Sequence, residues 1–194
     1  MLTKASIVTL SRIAIIPIFM WALLTRNDTA HTVALILFII ASATDWVDGF
    51  LARKYNEVTD FGKFIDPLAD KLLITSAMLI FVQQGSLASW AAMLIIAREF
   101  IVTSLRLVAV TQGKVLAAGW SGKVKTLVQI ICTVIFILPS TSFFNPTSSL
   151  FIVGTYEMTI YRIAGFVMVI VTLWSGVDYL IRHRSVFQQA AKDK

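Results

Sequence analysis

Six long apolar stretches separated by short polar links dominate the chain, and they leave few folds open to it. A helix needs roughly 20 mostly apolar residues to cross a bilayer. The stretches scatter around that length, over residues 6–24, 32–51, 61–83, 87–110, 123–138 and 150–181, the fifth being the shortest and the sixth the longest. They predict an all-α membrane protein, a bundle of about six transmembrane helices. Composition agrees: 57% of residues are hydrophobic and 14% charged, against about 25% charged in a typical soluble domain. The short links make residues 1–194 one domain, and there is no inverted internal repeat of the kind that marks many transporters.

The basic residues alternate across the links. Arg53, Lys54 and Lys63 lie in or beside the second link; Lys114 lies in the fourth, flanked by Arg106 and Lys123; Arg182, Arg184, Lys192 and Lys194 lie in the tail. The third and fifth links carry none, and the first carries only Arg26. By the positive-inside rule both termini and the second link face the cytoplasm of a cell membrane. The same rule accounts for the net charge of +6 without a nucleic-acid partner. Lys4 and Arg12 ahead of an apolar run look like a signal peptide, but no small-residue cleavage site follows and five more spans do, so the first span is read as uncleaved. Its amphipathic start, TKASIVTLSR, suits the interface, and Pro17 is a candidate kink. Cys132 sits in an apolar run, where a buried inert thiol is expected; a single cysteine allows no internal disulfide.

Against this apolar background, DWVDGFLARKYNEVTDFGKFIDPLAD (residues 45–70) stands out. Asp45 and Asp48 are three apart and Asp66 and Asp70 four apart, so each pair shares one helix face. Two such faces together would make a nest of carboxylates that needs cations to neutralise it near lipid. Hard oxygen donors suit Mg²⁺, Mn²⁺ or Ca²⁺, which points to a divalent-metal site between two membrane helices.

The spacing D-x2-D-G-x2-A-R-x8-G-x3-D-x3-D, carried by Asp45, Asp48, Gly49, Ala52, Arg53, Gly62, Asp66 and Asp70, resembles the signature of the CDP-alcohol phosphotransferase family at every position. The resemblance implies Asp45, Asp48, Asp66 and Asp70 as ligands of Mg²⁺ or Mn²⁺, two ions in all. It implies a CDP site lined by Asp48, Gly49, Ala52, Arg53 and Gly62, and catalytic roles for Asp66 and Asp70. Asp70 is the preferred general base, with the division of labour between these two left open. Elementary chemistry is consistent: paired metal ions clamp a pyrophosphate, glycines admit a nucleotide close to the backbone, and an arginine grips phosphate oxygens with two donors.

The acceptor has to be read elsewhere. The fourth span holds Arg98, Glu99 and Arg106 among apolar residues, and charges at that depth face a bundle interior or a wet cavity. The fifth opens with Lys123, Lys125 and Thr126, with Gln129 on the face of Lys125. Structural ion pairing of Glu99 and snorkelling of Lys123 are the plain alternatives. Taken together, Arg98, Arg106, Lys123 and Lys125 form a basic pocket suited to an acceptor that carries a phosphate. AREFIVTSLR (97–106), GKVKT (122–126) and DPLADKL also resemble the glycerol-3-phosphate-using bacterial branch of the family. At the N-terminus Thr9 and Arg12 fit the family's P-N-x-x-T-x-x-R pattern, but Ala5 and Ser6 replace its Pro and Asn.

The resemblance implies transfer of the phosphatidyl group of CDP-diacylglycerol to sn-glycerol 3-phosphate, giving phosphatidylglycerol phosphate and CMP at a cytoplasm-facing cavity, and pairing into homodimers. A sibling enzyme using inositol phosphate, serine or phosphatidylglycerol would share every aspartate. A divalent-cation or proton-coupled transporter would also want intramembrane acids, but at mid-bilayer on broken helices; a scaffold would have no use for the Gly and Arg spacing. Asp178 is expected to cap a helix or pair with a basic neighbour, Trp90 to mark an interface, and His31 and His183 to be no metal ligands.

Overall fold

Every apolar run folds as a helix in the computed structural model. It describes the backbone of residues 4–25, 27–55, 60–111, 119–140 and 153–184, and the side chains of 10–25, 27–44, 69, 71–109, 119–139 and 159–184. Among the described residues there are six α-helices and no strand: α1 (Lys4–Leu24), α2 (Asp28–Tyr55), α3 (Asp60–Gln83), α4 (Ser89–Thr111), α5 (Trp120–Ile137) and α6 (Val153–Arg182). Helices let a backbone satisfy its own N–H and C=O groups wherever no water reaches them. α1 runs unbroken through Pro17. α5 starts three residues before the expected Lys123, at Trp120, and takes Gly122 into its first turn. It gives way to one turn of 3₁₀ helix (Leu138–Ser140) around Pro139, which cannot continue an α-helix.

The helices form two groups of three. α1 packs closely on α2 and α3, and α6 closely on α4 and α5, while α2 and α3 meet α4 and α5 along a lighter seam. Far from the second link the packing is aromatic. Phe81 stacks on Phe136 with centroids 4.8 Å apart, Phe136 on Tyr161 at 5.3 Å, and Phe19 lies 6.0 Å from Phe38. Such contacts contribute about 0.5–1.5 kcal/mol each beyond the area they bury. The turn from α3 to α4 bends at Gly85, whose φ of 76° would strain any residue with a Cβ. At that end the carbonyl of Leu23 accepts from Gln84 Nε2 at 3.0 Å, and His31 Nε2 lies 3.2 Å from the same oxygen. Cys132 is buried in α5 as a free thiol.

The outer surface is apolar. Trp21, Met93, Phe100, Leu107, Trp120 and Ile181 are between 63% and 72% exposed, and many smaller apolar side chains join them. Soluble monomers rarely expose apolar surface on this scale. Among the described residues, Trp120–Ile137 and Thr159–Arg182 are long and apolar enough to cross a membrane; Leu10–Leu24, Asp28–Thr44 and Lys71–Gln83 are apolar but shorter.

Candidate active site

Asp45, Asp48, Gly49, Ala52 and Arg53 lie on the last turns of α2, and Gly62, Asp66 and Asp70 on the first turns of α3. Their side chains lie outside the described residues. Because the backbone is helical through both stretches, the spacings of three and four keep each aspartate pair on one face. α2 and α3 touch, and the aspartates occupy the two ends that the second link joins. Four carboxylates at adjoining helix ends are a donor set whose chemistry fits a hard divalent cation. Among the described residues, which leave out these four side chains, no group of His, Cys, Asp or Glu is arranged for a metal ion.

Next to these segments lies a cavity of about 350 Å³, within the range of about 300–1,000 Å³ that small-molecule sites occupy. Ala41 and Ser42 on α2 line it one turn before Asp45, and Lys71 on α3 lines it one residue after Asp70. The opposite wall is basic: Arg98 and Arg106 from α4 and Lys125 from α5. Arg12 from α1 completes the ring.

The cations are held by a network. Glu99 Oε1 accepts from Lys125 Nζ at 2.6 Å and from Arg98 Nη1 at 3.2 Å, and Arg98 Nη2 donates to Ser175 Oγ at 2.8 Å. Lys71 Nζ donates to Thr103 Oγ1, which donates to the carbonyl of Glu99 at 2.7 Å. Arg98 also rests on the α6 backbone: a Cβ at Gly176 would stand 3.0 Å from its Cγ, so only glycine leaves the side chain its present room. Several polar atoms remain unpaired. Arg98 Nε, Gln129 Nε2 and Tyr179 OH are buried without a hydrogen-bond partner among the described residues, and all three side chains line the cavity. Unsatisfied buried donors carry a penalty of about 1–3 kcal/mol each unless a ligand or water meets them.

The family signature of CDP-alcohol phosphatidyltransferases matches residues 2–174. The chain belongs to that family. A CDP-diacylglycerol–glycerol-3-phosphate 3-phosphatidyltransferase of Bacillus subtilis is 51% identical over 148 residues, covering 70% of this chain and 77% of the relative. A probable phosphatidylglycerophosphate synthase of Mycobacterium tuberculosis is 38% identical over 181 residues, covering 92% and 80%. A CDP-diacylglycerol–glycerol-3-phosphate 3-phosphatidyltransferase of Shigella flexneri is 34% identical over 186 residues, covering 93% and 94%. CDP-alcohol phosphatidyltransferases are membrane enzymes that use divalent metals, and this chain is one of them.

Within this CDP-alcohol phosphatidyltransferase the basic pocket forms from three of its four expected members. Arg98, Arg106 and Lys125 come together, whereas Lys123 is exposed and does not line the cavity. Two helical residues two apart point about 200° from each other, so with Lys125 turned inward Lys123 must face out, as the snorkelling alternative requires. The ion-pair alternative for Glu99 also holds, alongside the pocket rather than in place of it. Sequence reasoning missed Arg12, Lys71, Ser175 and Tyr179 as lining residues. Arg12 is 2% exposed, and a lone arginine within an apolar run is the signal that would have found it. Asp178 pairs with Arg182 at 2.7 Å and accepts from Ser121 Oγ at 2.5 Å, as expected of a helix-end acid.

Proposed function

We propose that this enzyme transfers the phosphatidyl group of CDP-diacylglycerol to sn-glycerol 3-phosphate, releasing CMP and forming phosphatidylglycerol phosphate. The observation that carries this reading is the basic cavity formed by Arg98, Arg106 and Lys125, which adjoins the helix segments bearing the four aspartates. A neutral alcohol needs no such set of cations, whereas a phosphate monoester, with a charge of about −1.5 to −2 at neutral pH, does. Relatives spanning most of this chain and named for the same reaction support the choice of acceptor.

In this reading the chain is one domain of six membrane-spanning helices with both termini and the cavity on the cytoplasmic side of the cell membrane, so that acyl chains enter from lipid while nucleotide and acceptor arrive from water. Asp45, Asp48, Asp66 and Asp70 would hold Mg²⁺ or Mn²⁺, two ions in all. When bound, the cations polarise the phosphoryl group and neutralise the leaving phosphate. Gly49, Ala52 and Gly62 leave room for the cytidine diphosphate, and Arg53 pairs with its phosphate oxygens. Arg98, Arg106 and Lys125 fix the acceptor through its phosphate and so aim its hydroxyl. Asp70 takes the hydroxyl proton as the oxygen bonds to the phosphorus bearing diacylglycerol, the bond from that phosphorus to the CMP oxygen breaks, and CMP departs.

CMP release by the purified protein with CDP-diacylglycerol, Mg²⁺ and a panel of acceptors tests this. Release that requires glycerol 3-phosphate and disappears with chelator or in Asp70→Asn is the expected result. Release with inositol phosphate, serine or phosphatidylglycerol instead would overturn the choice of acceptor, and no release from folded protein with any acceptor would overturn the reaction.

A further inference from the structure

Glu99 sits among the cations that the proposed function assigns to the acceptor's phosphate, and that function gives it no task. Five cationic side chains line the cavity (Arg12, Lys71, Arg98, Arg106 and Lys125), and among the described residues Glu99 is its only carboxylate. A single oxygen of it, Oε1, meets both Arg98 Nη1 at 3.2 Å and Lys125 Nζ at 2.6 Å. The three partners are not equally placed. The Arg98 and Lys125 side chains are 10% and 9% exposed, and Glu99 19%. Arg98 has a second anchor in Ser175 and a third in its contact with the backbone at Gly176. Arg98 is the anchored member, Lys125 is the more buried of the other two, and the carboxylate is the wetter one.

We propose that Glu99 occupies the phosphate seat from within the protein, bridging Arg98 and Lys125 until a phosphate monoester displaces it. The proposal rests on the assignment of this cavity to a phosphate-bearing acceptor. Two buried cations with no counter-charge would destabilise the empty site, and one carboxylate supplies that charge. A phosphate monoester offers the same cations more: about −1.5 to −2 of charge and three strong acceptor oxygens against one charge and two oxygens. It therefore wins the exchange, while an uncharged hydroxyl compound gains too little from two cations already paired. Glu99 thus acts as a specificity-determining residue, making occupancy of the pocket depend on the charge of the incoming group.

The test uses the full-length protein in detergent, with inorganic phosphate as the probe. Phosphate affinity is read from the thermal shift it causes and from its inhibition of CMP release. Glu99→Gln keeps an acceptor for Arg98 and Lys125 but removes the competing charge, so inorganic phosphate should bind about tenfold more tightly and the KM for glycerol 3-phosphate should fall in parallel. Unchanged or weaker phosphate binding in Glu99→Gln overturns the proposal and makes the carboxylate a scaffold for the two cations. Should Glu99→Gln fail to fold, Glu99→Asp decides. Its shorter acid cannot bridge both cations, so phosphate should bind roughly threefold more tightly, and no gain overturns the proposal. The phosphate-induced thermal shift does not depend on which acceptor the enzyme uses. A wild-type protein inert toward glycerol 3-phosphate, with phosphate affinity that rises in Glu99→Gln, refutes the reaction and upholds Glu99. An active wild type with no such rise does the reverse.

Discussion

The two ends of the bundle are built on opposite terms. Around Gly85 the helices meet through Phe81, Phe136 and Tyr161, and the polar groups there are tied to carbonyls, as Gln84 and His31 are to Leu23. Toward the aspartate-bearing segments the helices part around charged side chains, and Arg98 Nε, Gln129 Nε2 and Tyr179 OH are left without partners among the described residues. One end satisfies itself; the other keeps unmet donors and cations that a ligand would satisfy. Stability and recognition are therefore separable along the same helices, and substitutions should sort by end.

Arg98→Ala should have the largest effect. It removes the guanidinium that meets Glu99 and Ser175 in the cavity wall while Glu99 keeps Lys125 as a partner, and kcat/KM for glycerol 3-phosphate should drop at least roughly hundredfold. Retained activity would mean that the polar end does not bind the acceptor. Phe136→Ala attacks the other end. It should lower the stability of the detergent-solubilised protein by about 2–3 kcal/mol, less than in a water-soluble core because lipid solvates a phenyl ring about as well as protein does. The acceptor KM of the protein that stays folded should not move, and a raised KM would show that the two ends are coupled. Gly176→Ala is subtler. Its Cβ would stand 3.0 Å from Arg98 Cγ, and the displaced guanidinium should reduce kcat/KM roughly fivefold without lowering the melting temperature. Lys123→Ala should change kcat/KM by less than about twofold, as befits an exposed lysine. A larger loss would bring Lys123 back into the pocket.

Most of the fold was legible because hydropathy dictates it. Each expected span begins and ends within a few residues of a helix, and the start of α5 came early because nothing in GWSG forbids a first helical turn. Charges inside apolar runs were equally readable, which is how Arg98, Glu99 and Lys125 stood out. What could not be read was which residues of different helices share a wall. Ser175, Gly176 and Tyr179 look like ordinary members of an apolar helix until α6 is seen lying against Arg98. Nor does the sequence tie Lys71 to Thr103, thirty-two residues on, which accepts its hydrogen bond from the neighbouring helix. The aspartates were visible from spacing alone, because a carboxylate pair on one helix face is a local property and needs no partner helix to define it.

The grouping of helices into two sets of three bears on how the protein is made. α1 can close on α2 and α3 before the ribosome has finished the second half, yet that half supplies Arg98, Arg106 and Lys125, so a nascent chain holds the aspartate-bearing helices before the basic wall of the cavity exists. On the proposed function, turnover therefore waits until both groups of three helices have met. The α3–α4 turn at Gly85 is the natural point at which to divide the gene, and two separately expressed fragments should regain activity only on meeting in one membrane.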